Sequence, residues 1–545
     1  MSERPASSRP KASAAAVSGV AQALRDGDIA AAISLACAAL DRGEIHPLFL
    51  NLRASRLEQE GQDRAALADL LRAHALDPND AHASNALGLA LAKADKPFEA
   101  IKAYDAALAV APQFAPAQFN KAWACEAVGY LDAAKQCYET AIIIDPRFAE
   151  PFARLASLAA RRGDFTETVR MAQEALQRQP DHPTALQAIA AADLEIGDFE
   201  GTETHILGLL ARKNLSDFDR YFVMGLLADL RERQGRFAES YVALESGNNE
   251  YYVANRPRFG GPITAVTAIK WLIDYYSGHS GGTTLLPATT GSQDFTHVFL
   301  VGFPRSGTTL LEQALAAHPD VETMEEKDAF DEPVRAFMTS PADHAKLATL
   351  NDDQRAAYRE RYWERVRSYG YTGTRTVFID KLPFHTVKLP LIAALFPNAR
   401  ILFAIRDPRD VVLSCIRARF RINPYMFELL RPQDAAAFYA LSMSLAEAYR
   451  RALPLAIKDI RHEDLVADFD GVCRNVCNFL GIEWRESMRD FSARQRMRAV
   501  ATPSARQLAQ GLSRAGIGRW KNYSQQLAPL MPVLAPWVRR FGYAA

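Results

Sequence analysis

Pro78, Pro112, Pro146 and Pro180 close the segments "AHALDP", "AALAVAP", "TAIIIDP" and "EALQRQP", each proline 34 residues after the last. A fixed period of this length means one supersecondary unit copied along the chain. Units that cannot bury an apolar face alone must stack on their neighbours. Small residues recur at the same spacing, as Ala54, Gly88, Ala122 and Ala156 and again as Ala73, Ala107, Ala141 and Ala175, where two helices of a unit have to approach closely. The turns between helices repeat too, at Gly27, Gly61, Gly129, Gly163 and Gly197, while "GRF" at Gly235 falls a few residues late. The first half is therefore an all-α superhelix rather than an ordinary globular core.

This period and these positions resemble tetratricopeptide repeats, over about residues 15–250. The resemblance implies a concave surface that takes a peptide or protein partner, with a plain spacer or dimerisation scaffold as the alternative. Residues 1–14 read as a disordered N-terminus. After "NNEYYVANRPRFGGP" the composition shifts, and "SGHSGGTTLLPATTGSQD" (277–294) is rich in Gly, Ser and Thr. Residues 251–294 accordingly read as a connecting segment, and 295–545 as a second domain.

Lysines and arginines number 64, as do aspartates and glutamates. Zero net charge argues against bulk attraction to nucleic acid or to an anionic membrane. The N-terminus has no apolar core of a secretory signal, and no apolar run approaches the roughly 18 residues of a span. A cytoplasmic protein is the expectation. The six cysteines lack C-x-x-C spacing, so neither a disulfide framework nor a zinc site is expected; Cys473 and Cys477 read as buried helix core.

"VFLVGFPRSGTT" (298–309) looks like a phosphate loop without its lysine. Gly302 and Gly307 hold the two glycine positions and Thr309 the final hydroxyl, but Thr308 stands where an ATP-binding loop has lysine. An apolar run precedes the loop and "TTLLEQALAAH" follows at helical spacing, with His318 read as ending that helix. Further apolar runs at 376–380, 400–405 and 455–460 are separated by helical stretches. The pattern is a P-loop-like α/β domain with a mostly parallel sheet, whose ligand sits at the carboxyl ends of the strands.

Residues at those ends are candidate anion ligands. Backbone N–H groups of Ser306, Gly307, Thr308 and Thr309 at a helix N-terminus form a nest, and Arg305 adds a bidentate charge. Arg406 leaves the 400–405 run directly, and Ser414 falls on the next helix. Arg400, Arg406, Arg409, Arg417, Arg419, Arg421 and Arg431 stand against only Asp407, Asp410 and Glu428, so the local field is positive. A second basic stretch, "SRAGIGRWKNY" (513–523), contains Arg514. A nest with two basic sites suits a ligand with two phosphate-like ends.

"GFPRSGTTLLEQALAAHPDV", "DKLPF", "RDPRDVVLS" and "GIGRWKNY", in this order, resemble the sulfotransferases that use 3′-phosphoadenosine 5′-phosphosulfate (PAPS), and among them the tyrosylprotein branch. The resemblance covers about residues 295–530. It implies that Arg305 and the nest hold the 5′-phosphosulfate, and that Arg406, Ser414 and Arg514 hold the 3′-phosphate. It further implies that Lys381 lies near the bridging oxygen of the donor and that Glu326, with Glu325 one position away, is the catalytic base. No metal is expected. His462 stands where the family often has tyrosine, and Ala418 where the tyrosylprotein branch has arginine. The implied reaction is sulfonyl transfer to a hydroxyl, protein tyrosine first, with a glycan, lipid or small molecule as alternatives. A repeat scaffold with a degenerate sulfotransferase fold is the non-enzymatic alternative. A P-loop kinase is the rival enzyme, since "TVFID" resembles a magnesium-binding strand.

Overall fold

A computed structural model describes residues 12–544 apart from 95, 263, 279–294 and 492–511. Most of the expected disordered N-terminus and the Gly/Ser-rich part of the connecting segment lie outside the described residues. The chain divides into two compact units, Met1–Ala192 and Asp193–Ala545.

The first unit is a row of helix pairs, such as Ala81–Lys93 with Pro97–Val110 and Ala115–Ala127 with Leu131–Ile144. The repeated small residues are where the helices touch. Ala73, Ala107, Ala122, Ala141, Ala156 and Ala175 have no exposed surface. A Cβ on Gly88 would meet the Tyr104 ring at 2.4 Å, so no side chain fits there. Each repeated turn glycine has φ between 72° and 87°, a left-handed conformation open to glycine at little cost.

In the second unit a five-stranded parallel sheet runs in the order β2-β3-β1-β4-β5, with β1 Thr296–Gly302, β2 Val321–Glu325, β3 Val377–Lys381, β4 Arg400–Ile405 and β5 Ala456–Arg461. Alternate residues feed two apolar layers. Phe299, Val301, Phe378, Ile401 and Phe403 enter one, and Val298, Leu300, Val377, Ile379 and Leu402 the other. Burial on both faces accounts for the near-continuous apolar runs of β1, β3 and β4.

Two boundaries differ from the sequence reading. The second unit begins at Asp193, so helices Asp217–Arg233 and Phe237–Phe259 belong with the sheet domain rather than with the array alone. Residues 251–278 are not a linker: the first of them finish the helix Phe237–Phe259, and Ala265–Gly278 form another. Ala265, Ile269, Leu272 and Tyr276 are buried at helical spacing, and the helix packs on Pro432–Ala452. The Tyr276 hydroxyl lies 2.8 Å from His344 Nε2. Among the described residues, no helix is long and apolar enough to cross a membrane.

Candidate functional site

Because all five strands are parallel, the residues that follow them emerge at one end of the sheet. The loop 303–307 follows β1, Glu326 follows β2, Lys381 ends β3, Arg406 follows β4 and His462 follows β5. The chain order reverses between β1 and β4, which opens the crevice where such sheets bind ligands.

The loop is built for close approach. Gly307 caps the helix Thr308–Ala316 at φ 93°, and Arg305 is held at φ 69°, an unusual conformation for a residue with a side chain. Ser306, Thr308 and Thr309 are buried. Arg305 Nε donates to Ser414 Oγ at 2.9 Å, on the helix Pro408–Arg417. Two residues that the sequence assigns to opposite ends of a ligand are thus in contact. Burial, and then the nearby Arg406 charge, bring the Arg305 guanidinium down to about 10, still charged at neutral pH.

Arg406 does not pair with Asp407 or Asp410. It donates through Nη1 to the Arg305 carbonyl (3.1 Å) and through Nη2 to the Gly516 carbonyl. Asp407 instead holds Arg409, whose guanidinium stacks on Trp520 at 3.7 Å. Asp410 accepts from the N–H groups of Gly518 (2.6 Å) and Trp520 (2.9 Å). The basic stretch 513–523 is therefore lashed to the first residues after β4. Arg514 lies on it with an exposed side chain, its carbonyl accepting from Ile517 N–H.

Among the described residues, Arg406 Nε and His462 Nδ1 are buried at this mouth with no protein partner. His462 packs on Gly307: a Cβ there would meet its Nδ1 at 2.5 Å. Burial, then Arg406 and Arg305, push His462 down to about 3, so the ring is neutral. An unpaired arginine nitrogen, a neutral imidazole and an open nest fit the phosphate groups of an anionic nucleotide.

Lys381 has no exposed surface, and its Nζ donates to Glu326 Oε1 at 2.9 Å and to Glu325 Oε1 at 3.2 Å. Burial opposes its charge, but Glu326, Glu325 and Glu312 outweigh burial and hold the ammonium above its usual value. Both glutamates named in the sequence reading reach it. They differ in setting: Glu325 ends β2 with a side chain 25 % exposed, whereas Glu326 turns out at φ 48° and is 43 % exposed. The Glu326 N–H is tied to the Lys381 carbonyl at 2.8 Å, which fixes that turn.

Asp380, the candidate magnesium ligand of the kinase reading, points to the opposite face of β3 and is fully buried. Its Oδ2 accepts from the Tyr362 hydroxyl at 2.8 Å, and its Oδ1 lies 3.2 Å from His385 Nε2.

Three features were missed in the sequence. β2 reads "VETME", too polar to stand out as a strand. Glu312, buried on the loop helix, looked like ordinary helix surface. The third is a charge cluster beneath the Ser414 helix. Arg417 donates to Asp229 (2.6 Å) and Glu232, Arg419 to Asp229 (2.8 Å), and Arg519 to Glu232 (2.6 Å). Both acids lie on Asp217–Arg233, and the Tyr221 hydroxyl of that helix donates to the Ala418 carbonyl at 2.9 Å. Ala418 thus has arginines on both sides, each already paired.

Residues 297–486 match the Sulfotransferase family, and residues 115–148 match the tetratricopeptide repeat. The chain is 25 % identical over 249 residues to an uncharacterized protein of Aquifex aeolicus, covering 44 % of this chain and 32 % of that one. It is 26 % identical over 205 residues to protein-tyrosine sulfotransferase 1 of Danio rerio, covering 36 % and 56 %. The chain therefore spans about a third and about half of these two relatives. Among solved structures it is similar to the sulfotransferase domain of the Synechococcus PCC 7002 olefin synthase, with 20 % identity, a TM-score of 0.35, and coverage of 47 % of this chain and 98 % of that one. The chain carries tetratricopeptide repeats followed by a C-terminal domain of the sulfotransferase family.

Proposed function

We propose that the second unit transfers a sulfonyl group from PAPS to the hydroxyl of a protein tyrosine, with the repeat array recruiting the acceptor. The observation that carries this reading is the Lys381–Glu326 pair, a buried cation and a half-exposed carboxylate 2.9 Å apart at the ends of neighbouring strands. Such a pair can serve the two ends of one displacement.

The donor supplies an activated sulfonyl group on a phosphate leaving group. Arg305 and the N–H groups of 306–309 grip the phosphosulfate end. Arg406, Ser414 and Arg514 bind the 3′-phosphate, and Arg406 Nε is an atom left open for it. Glu326 takes the proton of the attacking hydroxyl, because a neutral phenol is a poor nucleophile. Lys381 stabilises the negative charge that develops on the departing phosphate oxygen, an interaction that matters most in the transition state. The tyrosine acceptor rests on the likeness to a protein-tyrosine sulfotransferase and on the peptide-binding habit of helical repeats.

The test is transfer of labelled sulfonate from PAPS to proteins of a lysate lacking this chain. A labelled band whose label maps to tyrosine supports the reading. Label confined to glycan, lipid or small molecules would move the acceptor elsewhere, and tight ATP binding with magnesium-dependent phosphoryl transfer would replace the reading with a kinase.

A further inference from the structure

The 3′-phosphate site proposed above is assembled from two separate pieces of chain. Ser414 sits on the helix Pro408–Arg417, and Arg514 on the stretch 513–523, whose Gly516 carbonyl also holds Arg406. Asp410, on the Ser414 helix, ties the two pieces by accepting from the N–H groups of Gly518 and Trp520. Those bonds fix the backbone of the stretch. They do nothing for two guanidinium groups, Arg417 of the helix and Arg519 of the stretch, that converge on one point. Like charges brought together in this way push the two pieces apart.

A carboxylate from a third element occupies that point. Glu232 lies on Asp217–Arg233, and its side chain is 12 % exposed. It takes Arg519 as a fork, Nε on Oε1 at 2.7 Å and Nη2 on Oε2 at 2.6 Å, and the same Oε2 takes Arg417 Nη2. Asp229 cannot stand in for it, because Asp229 bonds Arg417 and Arg419. Among the described residues, Glu232 is the carboxylate bonded to Arg519. Tyr523 completes the joint: its hydroxyl accepts from Arg417 Nη1 at 3.0 Å and lies 3.1 Å from Ser240 Oγ on Phe237–Phe259. The Asp217–Arg233 helix also leaves room for these arginines, since a Cβ on Gly225 would meet Arg419 Nη1 at 2.4 Å.

We infer that Glu232 is a positioning residue for the 3′-phosphate of the donor, one carboxylate that draws the Ser414 helix and the stretch 513–523 into a single binding wall. This rests on the assignment of Arg406, Ser414 and Arg514 to that phosphate. Glu232 touches no substrate and acts through Arg417 and Arg519. The Ser414 helix is anchored in the core by Val411, Val412, Leu413 and Ile416, so the piece that shifts when the tie is lost is the stretch. The phosphosulfate end, gripped by Arg305 and the nest, keeps its own supports. Glu232 precedes residues 297–486, so part of what shapes the donor site comes from outside the stretch that matches the family.

The experiment compares Glu232→Gln, Arg519→Ala and the double variant with wild type, all in the full chain. Calorimetry reads affinity for adenosine 3′,5′-bisphosphate and for adenosine 5′-phosphosulfate, which lacks the 3′-phosphate. Glu232→Gln should weaken the bisphosphate about ten-fold and the phosphosulfate by no more than about two-fold. Arg519→Ala should give the same selective loss, and the double variant should be no worse than either, since acid and arginine are two halves of one tie. Glu232→Asp, which keeps the charge, should recover part of the loss. If Glu232→Gln fails to fold, Arg519→Ala carries the same comparison from the other side of the tie. Wild-type affinity in Glu232→Gln, or tighter binding, overturns the inference. Equal losses for the two nucleotides overturn it as well, because they mark a residue that holds the fold and not the phosphate. Additive losses in the double variant overturn it by making Arg519 a direct ligand. Wild-type protein that binds the two nucleotides equally would sink the 3′-phosphate assignment and this inference with it, and wild type that binds neither would sink the functional reading itself.

Discussion

Replacing Asp229 with asparagine tests whether the helix pair ahead of the sheet domain folds as part of that domain. Asp229 takes Arg417 Nη2 on one carboxylate oxygen at 2.6 Å and Arg419 Nη2 on the other at 2.8 Å. Burial works against its charge, but Arg419 and then Arg417 hold the carboxyl below the usual carboxylate range. Asparagine keeps the shape, loses the charge and turns an amide NH2 toward one of two guanidinium groups. Removing one partner of a buried pair typically costs about 3–5 kcal/mol. The Asp229 side chain is 25 % exposed, and Glu232 remains on Arg417, so about 2–3 kcal/mol is expected here. For a unit of this size that lowers Tm by roughly 3–4 °C. The sign with pH follows from the lowered value: the contribution is full above the unfolded carboxylate value, near 3.9, and disappears as pH falls through the folded-state value. Thermal melts of wild type and Asp229→Asn from pH 8 downward should therefore converge only in acid. A variant within about 1 °C of wild type at pH 7, or a deficit that persists unchanged in strong acid, would refute the reasoning.

The remaining tests concern the boundary and the site. A fragment 193–545 should fold and bind adenosine 3′,5′-bisphosphate, while 251–545 should not melt cooperatively. The shorter fragment lacks Tyr221, Tyr241 and Leu244, each contributing about 1.5–3 kcal/mol of burial, against a domain stability of about 5–15 kcal/mol. Glu326→Gln should lose kcat by about 10²–10⁴-fold with nucleotide affinity nearly unchanged, as expected for a lost general base. If Glu325→Gln is the crippled variant in the same kinetic assay, the base lies one residue earlier. Arg406→Ala should weaken adenosine 3′,5′-bisphosphate about ten- to a hundredfold in calorimetry, and adenosine 5′-phosphosulfate much less. Equal losses for both would make Arg406 a brace for the loop through the Arg305 and Gly516 carbonyls.

What the sequence made legible follows the physics of each element. A repeat announces itself because every copy must solve the same packing problem, so Ala73, Ala107, Ala141 and Ala175 fall on one period and all end with no exposed surface. Strands buried on both faces become apolar runs, and β1, β3 and β4 are each found within a residue of where they lie. β2 escapes for the converse reason. It lies at the sheet edge beside β3, and its five residues include Glu322 and Glu325, the first bonded to Thr372 and the second to Lys381. An edge strand whose side chains are taken up in polar contacts lacks the continuous apolar run of a central strand. The same conflict hides the lower boundary of the second unit. Asp229 and Glu232 are ordinary acids on a repeat-like helix until Arg417, Arg419 and Arg519, some 190 to 290 residues on, are folded against them. No local pattern encodes a partner so far along the chain. Motifs marked the anion nest and the two basic sites because backbone geometry and fixed charge need particular residues in sequence. The contact between Arg305 and Ser414, which makes the two ends of the site one surface, exists only because β1 and β4 lie side by side.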